Sequence, residues 1–140
     1  MIPTMPFTGT SQTLQPGFIE MHRQCLGWLS ATALWKRELK FFQHLLDDFA
    51  QRFAGVDDKK EMAHFQNLIL YYQGEVIDEL RRKLRDHESR LAKALQRINE
   101  SGLDYQEAHG TLTTELSAFE NQYQELKNNF FGFIETGFHQ

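Results

Sequence analysis

Residues 18–53 read FIEMHRQCLGWLSATALWKRELKFFQHLLDDFAQRF, and within them apolar side chains recur at steps of three and four. The series is Phe18, Met21, Cys25, Trp28, Thr32, Trp35, Leu39, Phe42, Leu46, Phe49, Phe53, with Thr32 its one polar member. An unbroken run of that spacing and length is the heptad signature of a helix packed along one face. It predicts a first helix from Pro16 to Phe53. Pro16 suits a first helical turn, where its missing N–H is no loss. Gly55 is placed to stop the helix in a left-handed conformation.

The pattern then repeats twice. A second helix is expected from Asp58 to Glu100, with Asp58 and Glu61 at capping-box spacing. Its inward series is Phe65, Ile69, Tyr72, Val76, Leu80, Leu84, His87, Leu91, Ala94 or Leu95, and Ile98. The consecutive steps of four through Val76 and Leu80 are a stutter, which locally unwinds a supercoil. A third helix is expected from Asp104 to Thr136, capped by Asp104 and Glu107 and stopped at Gly137. Its inward series is His109, Leu112, Leu116, Phe119, Tyr123, Leu126, Phe130 and Phe133. The connections around Ala54–Asp57 and Ser101–Leu103 are short, which makes neighbouring helices antiparallel. At ~1.5 Å per residue the helices are about 50–65 Å long. The expected fold is therefore all-α: an elongated antiparallel up-down-up three-helix bundle, or coiled coil, over residues 16–137. Residues 1–15, with Pro3, Pro6 and Gly9, read as a flexible tail.

Turn positions set the register between helices. Turns centred near 55.5 and 101.5 place Phe42, Ile69 and Ile134 in one layer, Leu46, Phe65 and Phe138 in another, and Cys25, His87 and Leu116 in a third. His109 falls near the bundle end. One end of the rod is aromatic, and a polar layer is expected near Thr32, Glu79 and Tyr123. Residues 81–97 carry seven Arg and Lys against two acids, while residues 104–136 carry six acids against Lys127. The register sets Arg97 by Glu107 and Lys83 by Glu120, so these charges read as flanks that fix helix orientation. A strip covered by an acidic helix is a poor nucleic-acid surface.

Composition bounds the function. The 140 residues suffice for one domain, with 41% hydrophobic and 24% charged residues. One cysteine is read as excluding a disulfide scaffold and any Cys-based structural zinc site. No apolar run approaches the roughly 20 residues that span a bilayer. The formal charge of −4 gives no general attraction to nucleic acid or anionic lipid. Met1–Gln15 lacks the basic start and apolar core of a secretory signal, so a cytoplasmic location is expected.

Three groups of residues merit weighing for chemistry. Glu61 and His64 form an E-x-x-H step, and ferritin-like di-metal proteins use two such steps on four helices. This is the basis of the alternative reading, a ferritin-like or hemerythrin-like metal protein, but one step on three helices falls short of that set. Cys25 and His87 share a layer and could make a thiolate nucleophile. With no oxyanion hole in reach, they read as a small buried thiol beside a hydrogen-bonded histidine. No phosphate-binding loop or nucleophile elbow is present, so neither enzyme activity nor a cofactor is expected. The third group is an apolar surplus. Leu34 and Phe41 on helix 1, with Leu70, Tyr71 and Ile77 on helix 2, are read as one outward stripe with Gly74 between them. A contiguous outward apolar patch marks an interface. The stripe points to a protein partner, a second copy giving a dimer being the first choice. The competing occupant is the chain's own Ile2, Met5 and Phe7.

The string Trp35-x-x-Glu38-Leu39-x-Phe41-Phe42-x-x-Leu45-Leu46, with His64-Phe65-Gln66-Asn67 and Ile77-Asp78-Glu79-Leu80, resembles small bacterial helical-bundle proteins of no assigned function. That resemblance implies the fold and no activity. In topology, including tryptophans mid-helix 1, the chain is also similar to a spectrin repeat by architecture alone.

Overall fold

The computed structural model describes residues 10–96 and 103–138, and among them every regular element is helical, so the chain is all-α. Helix α1 spans Thr10–Phe49 and runs into a 3-10 turn, Ala50–Arg52. A continuous middle helix follows. It consists of α2 (Val56–Tyr71), a π turn (Tyr72–Val76) and α3 (Ile77–Ala94). Helix α4 spans Leu103–Phe138.

Several boundaries differ from the sequence reading. α1 begins at Thr10 rather than Pro16, so residues 10–15 are helical. Every breaker that argued for a tail, Pro3, Pro6 and Gly9, precedes Thr10. Pro16 sits inside the helix, where one backbone hydrogen bond is forfeited. Gly55 is not left-handed. It caps α2 in an extended conformation (φ −72°, ψ 157°), and its carbonyl accepts the Lys59 N–H at 3.0 Å. Asp58 is therefore not the cap but stands with Asp57 in the first turn, on the positive end of the helix dipole. Asp104 likewise lies within the first turn of α4. Glu100, Gly102, Ile98 and Arg97 lie outside the described residues, as do Ile2, Met5 and Phe7.

The π turn settles the stutter. The Ile77 N–H bonds the Tyr72 carbonyl, five residues back, instead of the usual four. The inward series becomes Phe65, Ile69, Tyr72, Ile77, Leu80, Leu84, His87, Leu91, Ala94. Every step is three or four except that from Tyr72 to Ile77. One extra residue interrupts a regular heptad, and the π turn absorbs it locally, so the same face stays inward on both sides. Ile77 is consequently 0% exposed and Val76 half-buried. The placement of Ile77 in an outer stripe is corrected on this ground: it assumed α-helical spacing through a turn that is wider.

Contacts between the helices follow two orders. Lys36 pairs with Asp78, Arg81 reaches the Leu29 carbonyl, and His22 meets Glu88, so numbers rise in α1 as they fall in the middle helix. Between α1 and α4 they rise together: Phe18 with Tyr105, Phe42 with Phe130, Phe49 with Phe138. The register of α4 against the middle helix differs from expectation. Lys83 pairs with Glu115, not Glu120, and Phe65 packs on Phe130 and Phe133, not Phe138. The cause is the length of the middle helix. Its α-helical form ends at Ala94, short of the Glu100 expected, and α4 pairs with it about five positions earlier than expected.

The aromatic end packs tightly. Phe53 stacks on Phe133 with ring centroids 4.3 Å apart, and Arg52 donates to the Gly137 carbonyl. Gly137 is no stop but a buried member of α4. A Cβ placed there would lie 2.8 Å from Phe53 Cζ. Gly137→Ala is expected to destabilise by about 1–3 kcal/mol through overpacking, read as a lowered urea midpoint. A variant as stable as the parent would show that Phe53 yields freely.

Midway along the helices lies the polar layer, with one change of member. Thr32 is fully buried, and its hydroxyl donates to the Trp28 carbonyl at 2.9 Å. Arg81, not Glu79, completes the layer, donating to Thr32 Oγ1 at 2.7 Å and to the Leu29 carbonyl. Glu79 faces outward to Arg82. Buried Tyr123 donates its hydroxyl to Glu38 at 2.8 Å. Burial first, and Glu38 second, hold the phenol protonated well above its ordinary range.

Candidate functional site

Leu34, Phe41, Leu70 and Tyr71 are all about half exposed, as a stripe would require. They do not share one face. On a helix, residues three and four apart lie on one strip. Glu38 is four after Leu34 and three before Phe41. Its carboxylate accepts from Tyr123 and pairs with Lys127 at 3.5 Å, both on α4. The flank of α1 that meets the middle helix is marked instead by His22, Leu29 and Lys36. Leu34 and Phe41 thus border α4. There Phe131 packs edge-on against Phe42 at 5.3 Å and Phe138 against Phe49 at 4.8 Å, and both are themselves exposed. The result is an apolar seam along α1 and α4: Leu34, Phe41, Phe131, Phe138. Leu70 stands roughly 200° round its helix from Leu68 and Tyr72, which face α4. Tyr71 borders a separate groove with Glu75, Glu79 and Glu115. Sequence reasoning missed Phe131 and Phe138 as seam members because the α4 register was displaced.

The second site is buried between the helices, toward their other end. Cys25 on α1, His87 on α3 and His109 on α4 are 0%, 4% and 9% exposed, and their donor atoms all lie within 4.8 Å of one another. His109 donates from Nε2 to Gln24 Oε1 at 2.7 Å. That leaves His109 Nδ1 as acceptor for His87 Nε2, 3.1 Å away. Burial pushes the His87 pKa down to about 4, helped by the neighbouring His109 and Arg90. Burial lowers His109 as well. Burial, with the Glu88 charge adding, pushes the Cys25 thiol up to about 11. Glu88 itself bonds His22 at 2.7 Å. The pairing of Cys25 with His87 in one layer agrees with the sequence reading. His109 replaces Leu116 there, seven residues earlier in α4. His109 is not a boundary residue, and the correction follows from the displaced turn.

A thiol with a raised pKa and two neutral imidazoles is a poor nucleophile–base pair, since both the thiolate and the imidazolium are disfavoured. It is a chemically apt set of donors for a soft or borderline cation. Glu61 and His64, by contrast, are exposed on a groove with Tyr72, Glu125 and Asn129. Among the described residues they join no third ligand close enough to share an ion.

No described helix is long and apolar enough to cross a membrane. Comparison with known protein families, curated proteins and solved structures finds no match to this chain.

Proposed function

We propose that this chain is a non-enzymatic, cytoplasmic interaction protein, an up-down-up three-helix bundle that self-associates as a dimer through the α1–α4 seam. The observation that carries the reading is the alignment of four large apolar side chains, Leu34, Phe41, Phe131 and Phe138, along two neighbouring helices. The seam is about 22 Å tall at 1.5 Å per residue and spans two helices spaced about 10 Å apart. That is on the order of 200 Å² of apolar surface, the centre of a contact that a polar rim would complete.

A second copy is the favoured occupant on electrostatic grounds. A twofold interface sets each patch against itself, so any unpaired charge would meet its like. Glu38 and Lys127 neutralise each other, and the further charges at seam spacing, Arg37 on α1 and Glu135 on α4, are of opposite sign, so a second copy can set one against the other.

Light scattering across a concentration series tests the reading. The expected mass is about 33 kDa, twice the 16.5 kDa chain. Phe41→Glu with Phe131→Glu should weaken the dimer at least about thirtyfold, from the ~2 kcal/mol of a hot-spot side chain. Leu70→Glu, on another face, should leave it intact. A single-chain mass at every concentration would exclude the dimer. Dissociation by Leu70→Glu alone would move the interface to the middle helix.

A further inference from the structure

We propose that Cys25, His87 and His109 bind one Zn²⁺-type transition-metal ion, each of the three long helices contributing one ligand. The proposal is independent of the seam.

The arrangement is costly for a core. These three positions fall on the inward series, where Leu or Ile would fill the space without any polar atom. A buried polar group is unfavourable unless its hydrogen bonds are made, and a polar network in a core stabilises only when complete. Thiolate and neutral imidazole are the donors zinc prefers.

Tetrahedral zinc with Zn–N bonds of ~2.0–2.1 Å sets its two imidazole nitrogens about 3.3 Å apart. His87 Nε2 and His109 Nδ1 are already 3.1 Å apart. A Zn–S bond of ~2.3 Å puts the sulfur about 3.6 Å from each nitrogen. All three donors lie within 4.8 Å, so closing the set takes a side-chain shift of about one ångström, from the same ~3.6 Å requirement.

A ligating histidine usually donates its second ring N–H to an acceptor that fixes the tautomer. Gln24 does this for His109, holding the proton on Nε2 and leaving the Nδ1 lone pair aimed at His87. Access also exists. His87 lines an open groove of about 370 Å³ between α3 and α4, with Lys83, Asp86, Arg90 and Glu115 around it.

The balance of binding is simple. The ion forms one bond to sulfur and two to nitrogen. Cys25 releases its thiol proton to solvent. The proton on His87 Nε2 moves to Nδ1, so neither imidazole loses charge balance. Three protein ligands leave one tetrahedral position for a solvent molecule.

The test uses the full chain without a histidine tag, stripped with chelator and titrated with Co²⁺. The expected result is one equivalent per chain, with intense tetrahedral ligand-field bands and a thiolate-to-cobalt charge-transfer band, both bleached by Zn²⁺. Cys25→Ala should abolish the charge-transfer band, while Glu61→Gln with His64→Gln should leave every band. Should Cys25→Ala fail to fold, X-ray absorption of the zinc-loaded wild type decides: one sulfur and two imidazole nitrogens support the site. Absence of tetrahedral bands, a charge-transfer band that survives Cys25→Ala, or a sulfur-free zinc shell overturns it.

Discussion

Ile77→Glu is expected to unfold the protein. Ile77 is fully buried immediately after the π turn. Removing an isoleucine from a packed core costs about 2–5 kcal/mol. Leaving an unpaired carboxylate in its place adds about 3–5 kcal/mol. The total matches the whole stability of a domain, about 5–15 kcal/mol. The measurement is helical circular dichroism with a urea titration. An Ile77→Glu protein as stable as the parent would mean that the middle helix is α-helical throughout and Ile77 faces out. Deleting Gly74 asks the same question from the other side. Gly74 is exposed, and a Cβ placed there would meet nothing within 4 Å, so its loss removes no side-chain packing. Without it, Ile77 follows Tyr72 by four positions, and the alternation of four and three runs unbroken from Phe65 to Ala94. The deletion also removes a helical glycine, itself worth about 1 kcal/mol. The shortened chain is expected to fold with at least the parent's urea midpoint. Unfolding on deletion would show that the π turn is required rather than accommodated.

The helices themselves were legible because each carries a long apolar series, and burial follows those series almost residue for residue. What resisted reading were quantities that depend on where one element stops. A helix that ends a few residues early moves its whole neighbour by about twice that number. This single displacement turned His109 from core to boundary, set Leu116 in its layer, and paired Lys83 with Glu120 instead of Glu115. Glycine was misleading for a related reason. Gly55 and Gly137 sit where a helix could stop, yet neither adopts positive φ. Gly55 caps the next helix, and Gly137 makes room for Phe53. The outer stripe did not form one patch because Leu34 and Phe41 border α4 rather than the middle helix, and Ile77 was placed by α-helical spacing through Tyr72–Val76. Arg81 shows a different limit. An arginine in a basic run reads as surface, and only a partner already buried, Thr32 with the Leu29 carbonyl, gives it a place inside. Cys25 and His87 were findable together because α1 and the middle helix meet across a short, correctly placed turn.

Acid is the second large lever, and it acts through the same histidines in metal-free protein. His87 is held neutral, its pKa depressed from 6.5 to about 4 by burial and then by His109 and Arg90. From α1 it faces Cys25, and from α4 His109, whose own acceptor is the uncharged Gln24 amide. Glu88, the nearby carboxylate on its own helix, is engaged by His22. Asp86 and Glu115 border the groove beside His87, but they pair with Arg82 and Lys83, so among the described residues no free carboxylate is set to stabilise an imidazolium. In the unfolded chain His87 takes its proton near pH 6.5, in the folded chain only near pH 4. Between those values the unfolded state binds more protons, so stability must fall as pH falls. The contribution is complete above pH 6.5 and lost through pH 4. A shift of that size corresponds to about 3 kcal/mol, and His109, lowered in the same direction, adds to it. Urea midpoints at pH 7, 5.5 and 4 in the presence of chelator read the effect. Carboxylates elsewhere also respond to acid, so the informative quantity is the difference from His87→Gln, which keeps a donor for His109 Nδ1. The parent is expected to lose about 3 kcal/mol more than the variant over this range. Parallel pH profiles for the two would show that His87 is solvated enough to carry its charge in the fold.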